Sequence, residues 1–310
     1  MLPLVQITIV GAGVIGLTTA LALEQRGHDV RIVAAATGVT TTSDIAGAVW
    51  FPYRAGPPHK VAVWAAHTRR WLEALASERD TGIDLLTGYE ITNDEGMRPP
   101  TPWWAAAVEV TRAPAPVLGS PLAWKFAAPR VEPAQFLPWL AARLRATIEV
   151  RTVTSLESEP GDIVINCAGL GARELAPDDL LMPLFGQIVL TAPGAVDLSV
   201  TITDHRDPET IFYVIPRRNE LVLGGISRPW PPGLPPERDP DVSRRILAQA
   251  TALGIPIGDV LRERVGLRPY RLEVRLERTG RIIHNYGHGG AGFTLCWGCA
   301  EDAAALVEAC

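Results

Sequence analysis

The segment His284-Asn-Tyr-Gly-His288-Gly289-Gly290-Ala291-Gly292-Phe293-Thr294-Leu-Cys296-Trp-Gly-Cys299 places two histidines and a Cys-x-x-Cys pair around a run of glycines. Such residue types suit a metal site, a dithiol couple, or a backbone platform in which the glycines are the working part. Zinc would need two further ligands, and no partner motif supplies them. A redox Cys-x-x-Cys usually opens a helix after a strand, whereas this pair follows a glycine loop inside a stretch that reads as the last helix. The platform is the favoured reading, and no metal is expected.

A second glycine run, Gly11-Ala12-Gly13-Val14-Ile15-Gly16, follows the β-branched residues 5–10 and precedes a helical stretch over 17–26 and a short strand over 30–33. Strand, glycine turn, helix and strand form the context that a dinucleotide fingerprint requires. Gly11 permits the tight turn, Gly13 removes a side chain where a pyrophosphate would approach, and Gly16 allows close helix–strand packing. The helix N-terminus then favours the phosphate charge. The acidic residue that commonly ends the second strand and holds a ribose is missing, because Ala34-Ala35-Ala36 stand there. That tells against a nicotinamide cofactor more than against FAD, which has more anchoring points. The hydroxyl-rich loop from Thr40 through Thr41, Thr42 and Ser43 to Gly47 and Ala48 suits close passage over a bound ring system.

Arg268 lies between Leu267 and Pro269 at an expected strand end. A buried arginine there needs a carboxylate partner, and a substrate carboxylate would serve; a structural ion pair is the commoner role for one arginine taken alone. Charge-assisted pairing of this kind contributes about 1.5–3 kcal/mol. Tyr213, in Phe-Tyr-Val-Ile-Pro, taken alone reads as core. Asn166-Cys167-Ala168-Gly169 is a small-residue strand end fit to meet a cofactor edge, with Cys167 a buried small hydrophobe.

The elements that must position these residues are legible in outline. Helices are expected over 59–79, 133–145 and 241–253, and strands over 148–153, 162–167, 187–191, 211–216 and 220–225. Residues 84–130 alternate strand-like runs with proline-rich loops, and 228–240 reads as a surface loop. The pattern predicts an α/β fold: a parallel half assembled from separated pieces, with a mixed-sheet half inserted between them. A net charge of −5 without a basic stripe excludes nucleic acid and an anionic membrane surface as expected partners, which leaves a small molecule. The apolar N-terminus lacks a basic leader region and carries the glycine pattern, so it reads as strand and helix rather than signal peptide or membrane span. With 4 cysteines and no secretory signal, a reducing, cytoplasmic setting is expected.

Several segments in fixed order, namely ITIVGAGVIGL, TTTSDIAGAVWFPY, INCAGLGA, GQI, YVIP, LGG, GLRPYRLEVRLE and HNYGHGGAGFTLCWGCA, resemble the D-amino-acid oxidase family, flavoenzymes that include D-aspartate oxidase. The resemblance runs almost end to end and points to a bacterial-type member. It implies a discontinuous Rossmann-like FAD-binding domain over 1–50, 130–185 and 265–310. A mixed-sheet substrate-binding or cap domain would span 51–129 and 186–264. FAD would be held by Gly11, Ala12, Gly13, Val14, Ile15 and Gly16, by Thr41, Thr42, Ser43, Gly47 and Ala48, and by Val153, Ala168 and Gly169. The platform Gly289, Gly290, Ala291, Gly292, Phe293 and Thr294 would complete that site.

The same resemblance implies that Arg268 clamps the substrate carboxylate with the Tyr213 hydroxyl as second donor, while the Gly290 carbonyl accepts from the substrate amine. A D-amino acid and O2 would then yield a 2-oxo acid, ammonia and hydrogen peroxide. A homodimer is one expected assembly, and the terminal Val-Glu-Ala-Cys carries no peroxisomal signal. Between Asp204 and Tyr213 there is no second tyrosine of the kind that lids the pocket in vertebrate members, which implies a more open pocket. Phe51 would present an apolar wall and favour neutral or apolar side chains, whereas His205 and Arg206 are the residues that would favour an acidic one. D-aspartate oxidation, a glycine- or sarcosine-type amine oxidation, an NAD-dependent dehydrogenase and a non-enzymatic metal or redox module are the alternatives.

Overall fold

The structure is a computed structural model that describes residues 4–38, 41–93, 101–207 and 211–309. Thr40, Cys310 and part of the segment between Asp204 and Tyr213, on which expectations above rest, lie outside the described residues. In chain order the elements are β1 (Gln6–Val10), α1 (Val14–Gln25), β2 (Asp29–Ala34), α2 (Thr42–Ile45), α3 (Pro58–Leu75), β3 (Ile83–Ile91), β4 (Thr111–Pro114), β5 (Leu122–Val131), α4 (Pro133–Ala141), β6 (Ile148–Val150) and β7 (Ile163–Asn166). They continue with α5 (Ala172–Leu175), β8 (Met182–Thr191), β9 (Val200–Asp204), β10 (Phe212–Pro216), β11 (Leu221–Gly224), β12 (Arg228–Pro229), α6 (Pro240–Ala252), β13 (Val260–Thr279), β14 (Ile282–His288) and α7 (Gly292–Glu308).

Two compact units result, each from separated pieces of chain: residues 1–83, 131–183 and 268–310 form one, residues 84–130 and 184–267 the other. The segment 51–83, assigned from sequence to the inserted part, lies in the first unit. Packing explains this difference. α3 runs against α7, where a Cβ on Gly298 would collide with the backbone of Trp64, so the two helices approach as closely as a glycine contact allows. The Thr68 hydroxyl accepts from the amides of Trp297 and Gly298 at 3.1 and 3.0 Å, and Trp71 stacks on Trp297.

In the first unit β6, β2, β1, β7 and β14 form a parallel sheet in that order, extended by β13 antiparallel to β14. The almost unbroken burial of β1 and β7 is what a parallel sheet covered on both faces demands of its central strands. α1 is apolar on every side, and its two buried threonines, Thr18 and Thr19, return their hydroxyls to the carbonyls of Val14 and Ile15.

The second unit is a mixed sheet in the order β4-β5-β3-β9-β10-β11-β8, with β12 pairing β8 inside a stretch expected to be loop. Its core gathers Phe212, Val214, Leu221 and Leu223 from the strands with Val242, Ile246 and Ala250 from α6. α6 starts where Asp239 accepts from the Asp241 amide, with Pro240 in the first turn. β13 has 20 residues rather than the expected strand end near Arg268. Pro269 hides that continuity in the sequence, and the structure accommodates it beside a register shift between Tyr270 and Arg275.

Candidate functional site

The N-terminal glycine turn is built as its spacing implies. Gly11 has φ +117° and donates to the Val33 carbonyl at 2.8 Å; a Cβ there would strike the carbonyl of Cys167. A Cβ on Gly16 would strike the carbonyl of Gly11, so α1 can leave β1 this tightly only with glycine at both places. Gly13 is different, because the nearest atom to its missing Cβ is the Ser43 hydroxyl at 3.0 Å. That hydroxyl accepts from the Val14 amide at 3.0 Å, which joins the Thr41-Thr42-Ser43 loop to the start of α1. Thr41 caps α2 by accepting from Asp44, and the Ala48 carbonyl accepts from Val131 at 2.8 Å, which fixes the far end of the loop that includes Gly47. α1 itself has no side-chain cap at Gly13 and no acidic residue in its first turn.

The end of β7 supplies a floor. Cys167 donates its amide to Val10, Ala168 donates to the Asn166 side chain at 3.2 Å, and Gly169 (φ +57°) has open space where a Cβ would stand. Val153 and Ala168 pack on one apolar cluster with Val10 and Val164.

The C-terminal glycines join β14 to α7. Gly289 donates to the Pro269 carbonyl at 2.8 Å, and Ala291 donates to His288 at 2.9 Å. At Gly290 a Cβ would stand 3.0 Å from the Tyr53 ring and 3.5 Å from Cδ of Arg268. An aromatic ring and an arginine stem thus lie close to one exposed backbone residue, and the ring would have to give by a few tenths of an ångström if a Cβ stood there. A Cβ built on Gly292 would meet the Val14 side chain at an ordinary 3.8 Å, so the first turns of α1 and α7 are neighbours. The Thr294 side chain is committed to the Phe51 backbone in both directions, accepting from the amide at 3.1 Å and donating to the carbonyl at 2.9 Å. Phe51 is half-buried.

Beneath the β13–β14 pair lies buried Asp178, which accepts from the Tyr286 hydroxyl at 2.8 Å and from Arg271 at 3.0 Å. Burial raises the Asp178 carboxyl, but these donors and the Arg271 charge outweigh it and hold the group below the usual carboxylate range. His288 and His284 on β14 are neutral at physiological pH, because burial lowers them to about 3 and about 4 respectively. Cys296 and Cys299 are fully buried in α7, and burial raises the Cys296 thiol to about 12 and Cys299 well above the ordinary range; Cys167 also rises to about 12. Thiols held protonated this way are neither nucleophiles nor ready redox partners.

Tyr213 belongs to the second unit. It is half-buried on β10, pairs with Gly224 of β11, and its ring lies against Gly224 and Gly225. In the same unit Arg206 grips Asp204 through Nε at 2.9 Å and Nη2 at 2.7 Å, and His205 Nδ1 lies 2.9 Å from Glu90.

A family model described as DAO, FAD dependent oxidoreductase, matches residues 6–306. The chain belongs to this FAD-dependent oxidoreductase family. It is 41% identical over 322 residues to a D-amino-acid oxidase of Rubrobacter xylanophilus, covering 97% of this chain and 95% of the relative. It is 33% identical to the D-aspartate oxidase of Homo sapiens, covering 98% and 95%. A crystal structure of glycine oxidase from Bacillus cereus superposes with a TM-score of 0.79 at 19% identity, covering 98% and 95%, which shows a shared fold.

The architecture is accordingly the discontinuous Rossmann-like FAD-binding fold of that family with an inserted mixed-sheet domain. The first unit fits FAD chemically: the α1 start is free of acidic residues, Gly13 is bounded there by one hydroxyl, and Gly169 is open. Tyr53 beside Gly290 was passed over in the sequence, although it lies in the same Trp-Phe-Pro-Tyr segment as Phe51. Asp178 looks like an ordinary loop aspartate that accepts from the Leu180 amide, and its charged and phenolic partners are 93 and 108 residues away.

Proposed function

We propose that this chain catalyses the oxidative deamination of D-amino acids with neutral or apolar side chains. Arg268 binds the substrate carboxylate, Tyr213 is its second donor, and the Gly290 carbonyl accepts from the neutral amine. FAD, when bound, would supply the two-electron acceptor for the hydride leaving the α-carbon and pass the electrons to O2, giving hydrogen peroxide, while the imino acid hydrolyses to 2-oxo acid and ammonia. No side-chain base is needed, because the protein's contribution is to hold carboxylate and amine in one orientation and thereby fix which face of the α-carbon reacts.

One observation carries the reading most: the Arg268 stem, on the strand paired with β14, and the Tyr53 ring, distant in sequence, both lie beside the exposed backbone of Gly290. Family membership and the 41% identity to a D-amino-acid oxidase support it. The preference for neutral over acidic side chains rests on the apolar ring of Phe51, and on the pairing of Arg206 with Asp204 and of His205 Nδ1 with Glu90. Oxygen consumption and peroxide release by FAD-loaded protein, read over D- and L-alanine, D-proline, D-methionine, D-aspartate and glycine, test the proposal. Turnover of the neutral D-forms and none of the L-forms is expected. Turnover confined to D-aspartate or to glycine would replace the substrate assignment, and reduction of NAD without peroxide would overturn the reaction class.

A further inference from the structure

We infer that Gly224 and Gly225 are positioning residues for the Tyr213 hydroxyl: their missing side chains form the bed on which the phenol lies and so set where its donor points. The assignment rests on the proposed role of Tyr213 as a carboxylate donor and deepens it. Along β10 the neighbours Phe212 and Val214 face the core of the second unit, so the alternation of a strand turns Tyr213 to the opposite face. Its direct partners across the ladder are Thr203 on β9 and Gly224 on β11. The ring lies over the glycine side. A Cβ built on Gly224 would overlap Cζ and the hydroxyl oxygen of Tyr213, and one built on Gly225 would stand 2.6 Å from Cε1.

Two consecutive glycines weaken a strand, since each costs backbone entropy and contributes no cross-strand packing. Here they leave a slot shaped for a flat ring. An aromatic side chain has two rotatable bonds, and a wall along one face of the ring restricts both. The hydroxyl oxygen is thereby held in one place by packing alone, and the O–H can turn toward a ligand. Gly225 is itself fixed, because its amide donates to the Ile211 carbonyl at 3.0 Å. The slot is therefore a feature of the β10–β11 backbone and precedes any ligand.

The test uses FAD-loaded protein in which the 5 tyrosines are replaced by 3-fluorotyrosine, with the Tyr213 fluorine signal assigned by its loss in Tyr213→Phe. Gly224→Ala should move or broaden that signal and leave the other four in place, and Gly225→Ala should do so to a smaller extent. In steady state Gly224→Ala should raise KM for D-alanine about tenfold, as expected for one lost hydrogen bond to a charged group, with kcat within about threefold. In the Tyr213→Phe background Gly224→Ala should add no further rise in KM, because the donor it displaces is already gone. Circular dichroism and flavin content equal to those of the parent keep the comparison valid, and Gly225→Ala serves if Gly224→Ala does not fold. An unchanged Tyr213 signal in both glycine variants overturns the positioning role. Full additivity of the KM effects overturns it as well. If Tyr213→Phe alone keeps the parental KM while the fluorine signal still moves in Gly224→Ala, the carboxylate role of Tyr213 has failed and the slot has no catalytic purpose.

Discussion

At the scale of single residues, the site divides into groups whose charge matters and groups whose absence matters. Arg268→Ala should keep its flavin, read by visible absorption, yet lose about a hundredfold in kcat/KM for D-alanine, because the proposed charge-assisted clamp would have no replacement. Tyr213→Phe should cost less, about tenfold, as it removes one donor and keeps the ring. His288 should shape the pH dependence of stability. Its folded-state pKa is depressed to about 3 by burial, so below the unfolded value near 6.5 the unfolded chain binds a proton that the folded chain does not. Stability should therefore fall with decreasing pH from about 6.5 downward, with a limiting slope of about 1.4 kcal/mol per pH unit for one proton. Thermal unfolding of His288→Asn across pH 4–7 should show a shallower slope; equal slopes would mean that His288 is not the titrating group. Arg268 and Tyr213 stood out only through the family resemblance, whereas the glycine turns were legible from the sequence because their spacing is distinctive. Tyr53 and Asp178 were not, because a tyrosine in a proline-rich segment and an aspartate in a loop look ordinary until their distant partners are known.

Elements position these residues through contacts that only small side chains allow. Alanine in place of glycine inside a helix normally stabilises by about 0.5–1 kcal/mol. Gly298→Ala in α7 should do the reverse and lower the melting temperature, since its Cβ meets the Trp64 backbone of α3 rather than a side chain that can move aside. A melting temperature equal to or above that of the parent in calorimetry would show that α3 and α7 separate at no cost. Asp178 acts at the same scale, by tying β13 to β14 through Arg271 and Tyr286. Because its folded pKa is depressed, its contribution is present above the unfolded carboxylate value near 3.9 and is lost as pH falls below about 4. Asp178→Asn should accordingly destabilise at pH 7, and the difference from the parent should shrink in acid. Strand and helix types were readable where β-branched runs and glycine turns marked them, as in β1 and α1, or where periodicity was strong, as in α6. The 20-residue β13 was not. Pro269 reads as a terminator, and only the bulge beside it shows how the strand continues.

For the whole molecule, cofactor binding should couple to stability by mass action. FAD at about one hundred times its dissociation constant would add about 2.7 kcal/mol, a rise of several degrees in melting temperature, whereas NAD at the same concentration should add none. Stabilisation by NAD instead would reverse the cofactor assignment. Among the described residues no helix is long and apolar enough to cross a membrane. The sequence by itself determined the α/β character, the glycine turn after β1, the platform before α7 and the family, because each is written in residues close together in the chain with distinctive spacing. Tertiary structure alone decided that residues 51–83 pack with the first unit, that Gly290, Arg268 and Tyr53 share one place, that complete burial holds the two α7 thiols protonated, and that the Tyr213 ring lies against two glycines of β11 and its end. The physical reason is common to all four: each depends on how closely particular atoms pack once the chain is folded, and spacing along the chain does not fix that distance.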